Sequence, residues 1–101
     1  MKIIQKNDEY RLIGKRFVGS GSSRVYTLIG YAKKKDINIM TVILAHKSER
    51  ESFNPIISKS DFIEMMAMNG FQTLKLADGY EDFSYDFYSK YVFDNYFKEV
   101  K

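Results

Sequence analysis

The stretch INIMTVILA, residues 37–45, constrains the fold of this chain more than any other part of its sequence. Five of the six residues 39–44 are apolar, and the sixth is Thr41. Because successive side chains of a β-strand point to opposite faces, an extended chain here would be apolar on both sides. Such a strand is stable only when packed layers cover both faces of its sheet. The stretch therefore predicts a central, doubly covered strand.

Three further strands are predicted in the first half of the chain. Residues 2–6 and 9–18 flank Asn7 and Asp8, a pair that favours a tight turn. Residues 24–33 are rich in β-branched and aromatic side chains, which favour strands. Residues 34–36 are polar and predict the turn into the central strand. The first half thus reads as an antiparallel meander.

The second half begins with a short predicted helix over residues 58–70. Ser58 with Asp61, or alternatively Ser60, supplies the N-cap, and Asn69 followed by Gly70 is typical of a helix end. Phe62 and Met66 lie one turn apart, and Met65 is placed on the same side. This pattern predicts one inward face made of these three residues.

A strand and a terminal helix complete the predicted fold. Residues 71–77 alternate as a strand does, with Leu74 and Leu76 on one face. Residues 80–101 are predicted to be helical, continuous or interrupted. The predicted order is β-β-β-β-α-β-α in one α+β domain spanning residues 1–101. Its antiparallel meander of four to five strands is packed by the short helix and by the aromatic C-terminal helix.

The aromatic C-terminus predicts an interaction surface. Residues 80–97 hold nine aromatic side chains in eighteen positions, and on a helix they would not form one stripe. Either the segment breaks near residues 90–92 into two helices with separate inward faces, or one face meets a partner. An acidic, solvated face over an aromatic core is the other interpretation. The residues expected to contact a partner protein are Tyr85, Asp86, Tyr88, Asp94 and Tyr96.

The stretch DGYEDFSYDFYSKYVFDNYF, residues 78–97, resembles in general style the small accessory proteins of bacteriophages and mobile elements, including anti-CRISPR proteins. The resemblance implies a compact, non-catalytic α+β protein that occupies a partner macromolecule. Its partner would be a host defence or nucleic-acid-processing protein, which it would inhibit. A homodimer through the C-terminal segment is also compatible with this pattern.

Basic residues in the first half of the chain support a second hypothesis, a nucleic-acid-binding module. Residues 1–50 carry a net charge of +7 and residues 51–101 a net charge of −4, which sum to the net +3 of the chain. The run GSGSSR, residues 19–24, lacks the Gly-Lys-Ser/Thr ending of a phosphate-binding loop and predicts a hairpin turn. The residues expected to bind nucleic acid or an acidic partner are Lys15, Arg16, Arg24, Lys33, Lys34 and Lys35.

Enzymatic residue patterns are scarce. The chain has no Cys and a single His, His46, whose nearest acids in sequence are Glu49 and Glu51. We therefore expect no catalytic site, metal or cofactor, with catalysis at His46 as a weaker third hypothesis. The absence of Cys, of an apolar run long enough to span a membrane and of a signal-like N-terminus predicts a soluble cytoplasmic protein.

Overall fold

The computed structural model describes residues 10–47 and 57–101, which form an antiparallel sheet of six strands and two helices, an α+β fold. The predicted strand over residues 2–6 and the turn at Asn7 and Asp8 lie outside the described residues. In chain order the elements are β1 (Arg16–Gly19), β2 (Val25–Lys34), β3 (Met40–Lys47), α1 (Lys59–Met68), β4 (Phe71–Leu76), β5 (Phe83–Ser89), α2 (Lys90–Tyr96) and β6 (Phe97–Glu99).

The sheet is organised around β2 and β3. The strand order is β5-β3-β2-β1-β6, and β4 also pairs with β2. The strands β1 and β4 both pair with the same edge of β2. The strand β1 pairs with the first residues of β2, with Arg16 opposite Thr27, and β4 pairs with the last residues of β2, with Phe71 opposite Lys34.

The strand β3 is covered on both faces, as its sequence predicts, and residues 41–45 are all buried. The predicted start of this strand at residue 37 is wrong, because β3 begins at Met40. Ile37 and Ile39 lie exposed in the turn before it.

Two hydrophobic cores lie on the two faces of the sheet. On one face Val42 and Leu44 of β3 pack with Phe93 of α2. On the other face Ile43 and Ala45 pack with Phe62 of α1. One helix therefore covers each face, and this arrangement accounts for the unbroken apolar run in β3.

The helix α1 begins and ends where its sequence predicts. The Ser58 hydroxyl accepts a hydrogen bond from the Asp61 amide at 3.1 Å, and Gly70 follows the helix at φ +87°. Phe62 and Met66 are buried, as expected. The inward placement of Met65 is wrong: its side chain is 40% exposed, because only the i, i+4 pair reaches the sheet.

The helix predicted over residues 80–101 is wrong over residues 83–89, which form the strand β5, and over residues 97–99, which form the strand β6; only residues 90–96 are helical. Phe83 and Tyr85 pack into the α1 core and Tyr88 into the opposite core. This is an alternation with a period of two, and aromatic side chains pack well on a sheet. Ser89 then caps α2 by accepting a hydrogen bond from the Val92 amide, so the chain changes from strand to helix at this point.

Two strand predictions need smaller corrections. The strand predicted over residues 9–18 is wrong at its start, because Tyr10 accepts a hydrogen bond from the Ile13 amide and Gly14 adopts φ +94°, so only residues 16–19 are extended. Leu74 and Leu76 do not share a face: Leu74 packs into the α2 core and Leu76 into the α1 core. The register between β2 and β4 shifts at this point, and an extra residue turns the following side chains to the opposite face.

Candidate binding surface

An apolar groove lies at one end of the sheet, where the β2–β3 turn, the start of β4 and the end of β5 meet. Its volume is about 360 Å³. Four large apolar side chains give it its character: Ile37, Ile39, Phe71 and Phe87. Lys34, Thr41, Tyr88 and Ser89 complete the lining. We refer to these eight residues as the groove.

Hydrophobic side chains of the groove are unusually exposed. Ile37 is 44%, Ile39 48% and Phe87 39% exposed to solvent. The backbone holds Ile37 in place, since its amide donates to the Lys34 carbonyl at 3.2 Å. The Phe87 ring packs on Phe71, with the ring centroids 5.5 Å apart. The fold therefore leaves an apolar surface exposed to solvent.

Lysines adjoin the groove: Lys34 lines it, and Lys33 and Lys35 are its neighbours along the chain, so we refer to these three residues as the lysine rim. Lys33 and Lys34 end β2, and Lys35 begins the turn that follows. The Lys34 ammonium lies 5.7 Å from the centre of the Phe71 ring, a cation–π contact. None of the three lysines forms an ion pair with any residue in the described part of the chain. Their charges remain available to an acidic ligand.

The six basic residues of the nucleic-acid hypothesis fall into two groups at opposite ends of β2. Lys15, Arg16 and Arg24 lie near the start of β2, at about 30 Å from residues 33–35 if each strand residue advances about 3.3 Å. Lys15 is 3.7 Å from the Glu99 carboxylate. The predicted hairpin turn between β1 and β2 is present, with Gly21 at φ +75°. Only the second group adjoins the groove.

The predicted partner-binding residues are divided between the two faces of β5 and α2. Tyr85 packs against Phe62 and its hydroxyl donates to the Tyr80 carbonyl, so it belongs to the α1 core. Burial, and secondarily the nearby Glu81 carboxylate, raises the pKa of the Tyr85 hydroxyl. On the opposite face Tyr88 and Asp86 lie together.

The helix α2 carries the other two predicted residues. Asp94 is bound by the Lys90 ammonium at 2.7 Å, one turn away. Tyr96 is 58% exposed, and Tyr91 of the same helix is 72% exposed. These tyrosines lie apart from the groove lining, so the five predicted residues do not form one surface.

A polar cluster that sequence reasoning missed joins β2, β3 and β5. The His46 Nε2 atom lies 3.6 Å from the Asp86 carboxylate, and the Tyr26 ring stands edge-on to the imidazole at 5.0 Å. Burial, followed by the Asp86 charge, raises the pKa of the Tyr88 hydroxyl, and Tyr26 adds to the same effect. The register of β5 against β3 brings Asp86 diagonally next to His46, since Asp86 stands opposite Leu44 and Ser84 opposite His46. Glu49 and Glu51, in contrast, lie outside the described residues.

No group of three or more metal-ligating side chains occurs within residues 10–47 and 57–101. None of the helices in those two ranges is long and apolar enough to cross a membrane. Comparisons of the chain with protein-family models, with curated proteins and with solved structures find no match. The groove and its lysine rim are the surface features from which we infer a function.

Proposed function

We propose that this is a non-enzymatic binding protein that acts by occupying a surface of another protein through the groove. The observation that supports this most is the group of three large apolar side chains, Ile37, Ile39 and Phe87, each more than a third exposed around one cavity. Contiguous exposed apolar surface beside a pocket is typical of interaction sites. A cavity of this size accepts one large side chain of a partner as an anchor.

The exposed apolar side chains of the groove can contribute to the binding free energy. Burying a whole Ile or Phe side chain contributes about 1.5–3 kcal/mol, so the exposed two-fifths to half of each groove residue offers about 1 kcal/mol. The anchor side chain of the partner adds about 1.5–3 kcal/mol when it leaves water. In protein interfaces a few central residues contribute most of the binding free energy, so a single substitution at one of them has a measurable effect.

The charge of the rim defines the chemistry of the partner. Lys33, Lys34 and Lys35 favour a segment in which acidic residues flank the apolar anchor. An inhibitor of the anti-CRISPR kind would work in this way, by covering a surface that a host defence or nucleic-acid-processing protein needs. Inhibition follows from occupation and requires no chemistry by the protein itself.

Nucleic acid is the second candidate ligand. The Lys34 ammonium lies over the Phe71 ring, which packs on Phe87, and bases can stack on such rings. The aliphatic side chains of Ile37 and Ile39 favour a protein ligand instead. Binding of nucleic acid would weaken steeply with salt, because bound lysines release counterions from the phosphates.

The test compares two matched substitutions. Ile39→Asp places a charge in the groove, whereas Val25→Asp makes the same kind of change at the far end of β2, where Val25 is 43% exposed and Ile39 is 48% exposed. Each purified variant captures ligands from a lysate of the source cells, with and without nuclease treatment, after its fold is verified by circular dichroism.

We expect a protein that survives nuclease treatment to bind the wild type and Val25→Asp alike. Its affinity for Ile39→Asp should be about tenfold or more weaker, a loss of about 1.4 kcal/mol. A ligand that nuclease removes would favour the nucleic-acid candidate. Equal capture by both variants would contradict a binding role for the groove.

A further inference from the structure

We infer that the bound partner adds an extended segment to the outer edge of β5 and inserts one apolar side chain into the groove. This inference rests on the proposed function, since it describes how the groove would be occupied. The inference adds backbone hydrogen bonds between the partner and residues 83–89. Binding through side-chain contacts in the groove alone would not need these bonds. An exposed strand edge offers a row of amide and carbonyl groups to an incoming chain.

Within residues 10–47 and 57–101, β5 is an edge strand whose outer side is unpaired. It pairs with β3 in unbroken register from Lys47 opposite Phe83 to Thr41 opposite Ser89. Across the described residues no other strand pairs with it, and no loop backbone bonds to it. Its sequence, FSYDFYS, contains neither Lys nor Pro, and one charged residue, Asp86.

Among the described residues, the edge strands on the other side of the sheet are β4, which carries Lys75, and β6, and both have features that hinder pairing with another chain. The strand β6 is three residues long, and two of these, Lys98 and Glu99, are charged. Short strands and charged side chains are the common devices that prevent pairing with other chains. Both of these edge strands carry a lysine as such a protective feature, whereas β5 has no lysine. This difference indicates that the β5 edge is available for pairing with another chain.

The groove adjoins β5, so a single segment can use both. Phe87, Tyr88 and Ser89 end β5 and also line the groove. An added strand would lie about 4.8 Å from β5, and its alternate side chains would face the same side as Phe87. One of these side chains could enter the groove, and an acidic neighbour would then lie close to Lys34.

A second copy of this chain is a poorer occupant than another protein. Asp86 is the middle residue of β5. A symmetric antiparallel pairing of two β5 strands about their centres would place two Asp86 carboxylates opposite each other, and like charges at that position are destabilising. Asp86 would also repel an acidic residue at the centre of the bound partner segment. Lys34 would attract an acidic residue at the end of that segment nearest the groove.

The probe is a displayed library of random twelve-residue peptides, selected on the wild type and counter-selected on Ile39→Asp. We expect selected peptides to lack Pro, to alternate apolar side chains and to carry an acid beside one of them. Amide hydrogen exchange of the ¹⁵N-labelled protein is then measured with and without the peptide. Every second amide of residues 83–89 should exchange on the order of tenfold more slowly when the peptide is bound.

Backbone methylation of the peptide supplies the matched control. Methyl groups on the amides that face β5 should weaken binding about tenfold or more, whereas methyl groups on the intervening amides should leave the affinity within about twofold. The side chains are identical in the two peptides. A difference between them can therefore arise only from the direction of the backbone donors.

The outcomes separate the two proposals. A selected peptide that leaves all β5 amides unchanged but requires Ile39 would overturn strand addition and retain the proposed function. A library that yields no binder dependent on Ile39 would contradict both. Sedimentation of the protein alone as a dimer with β5 amides already protected would show that a second copy occupies the edge, which would also overturn the inference.

Discussion

Gly30 is the position where a single methyl group should do the most damage to the sheet. It lies in β2 opposite Leu76 of β4, beside the point where the register between β2 and β3 shifts. A Cβ atom at Gly30 would overlap the carbonyl oxygen of Lys75 and would stand 3.1 Å from the Leu76 Cα. Both atoms belong to the backbone, so they cannot move aside as a side chain can.

The expected cost of Gly30→Ala follows from this geometry. Carbon atoms prefer about 3.5 Å or more, so β4 must retreat from β2 by at least about 0.4 Å at Leu76 and by more at the Lys75 carbonyl. Overpacking of this kind costs about 1–3 kcal/mol. The lower entropy of the unfolded chain returns about 0.4–1 kcal/mol. We expect a net loss of about 1–2 kcal/mol, or about 10 °C in Tm.

Gly19→Ala is the matched control. Gly19 is also a strand glycine, but a Cβ there would meet the Phe97 ring, whose nearest atom is 3.3 Å away. An aromatic side chain can shift by a few tenths of an ångström, so we expect a change within about 0.5 kcal/mol. Urea denaturation of both variants measures the difference. Equal stability of Gly30→Ala and the wild type would refute the argument from close backbone approach.

Three further predictions concern the two cores and the loop before β5. Phe93→Ala should cost about 3–5 kcal/mol in urea denaturation, because this buried ring contacts Phe17 at 4.9 Å between centroids; a loss under 1 kcal/mol would contradict its role in the core. The pKa of Tyr88 is raised, so its contribution to stability is complete below the unfolded value of 10.0 and is lost as pH rises through the folded value. Tyr88→Phe should therefore flatten the decline in stability above pH 10, and an unchanged slope would contradict this. Lys59→Met removes hydrogen bonds to two loop carbonyls and the ion pair with Glu81, and should cost about 1–3 kcal/mol; faster amide exchange in the loop would confirm the cause.

Much of the fold is predictable from local patterns in the sequence. The apolar run of β3 predicts a doubly covered strand, and Ser58 and Gly70 predict the ends of α1. These features depend on neighbouring residues alone. Because the chemistry of a cap or of an apolar run is local, the surrounding structure has little scope to override it.

The C-terminal segment shows where a local pattern is ambiguous. Phe83, Tyr85 and Phe87 alternate with a period of two, yet the dense aromatic sequence also suits several helical stripes. Tertiary context decides, because β3 offers an edge with which residues 83–89 can pair. The preference of aromatic residues for strands was the available signal.

The groove could not have been predicted from any one motif. Its lining comes from five elements, namely the end of β2, the turn into β3, the start of β3, the start of β4 and the end of β5. Only Lys34, within the run of residues 33–35, and Tyr88 were named from the sequence as binding residues and also line the groove. The register of β3 against β5 brings Thr41 beside Ser89, and that pairing is a property of the folded sheet.

NMR chemical-shift mapping distinguishes binding of the partner protein at the groove from binding elsewhere on the surface. The captured protein, or a peptide from it, is titrated into the ¹⁵N-labelled chain. We expect the largest shifts at residues 34–41, at Phe71 and along residues 83–89, which surround the groove. Shifts concentrated instead around Arg24 and Lys15, or around Tyr91 and Tyr96, would contradict the account.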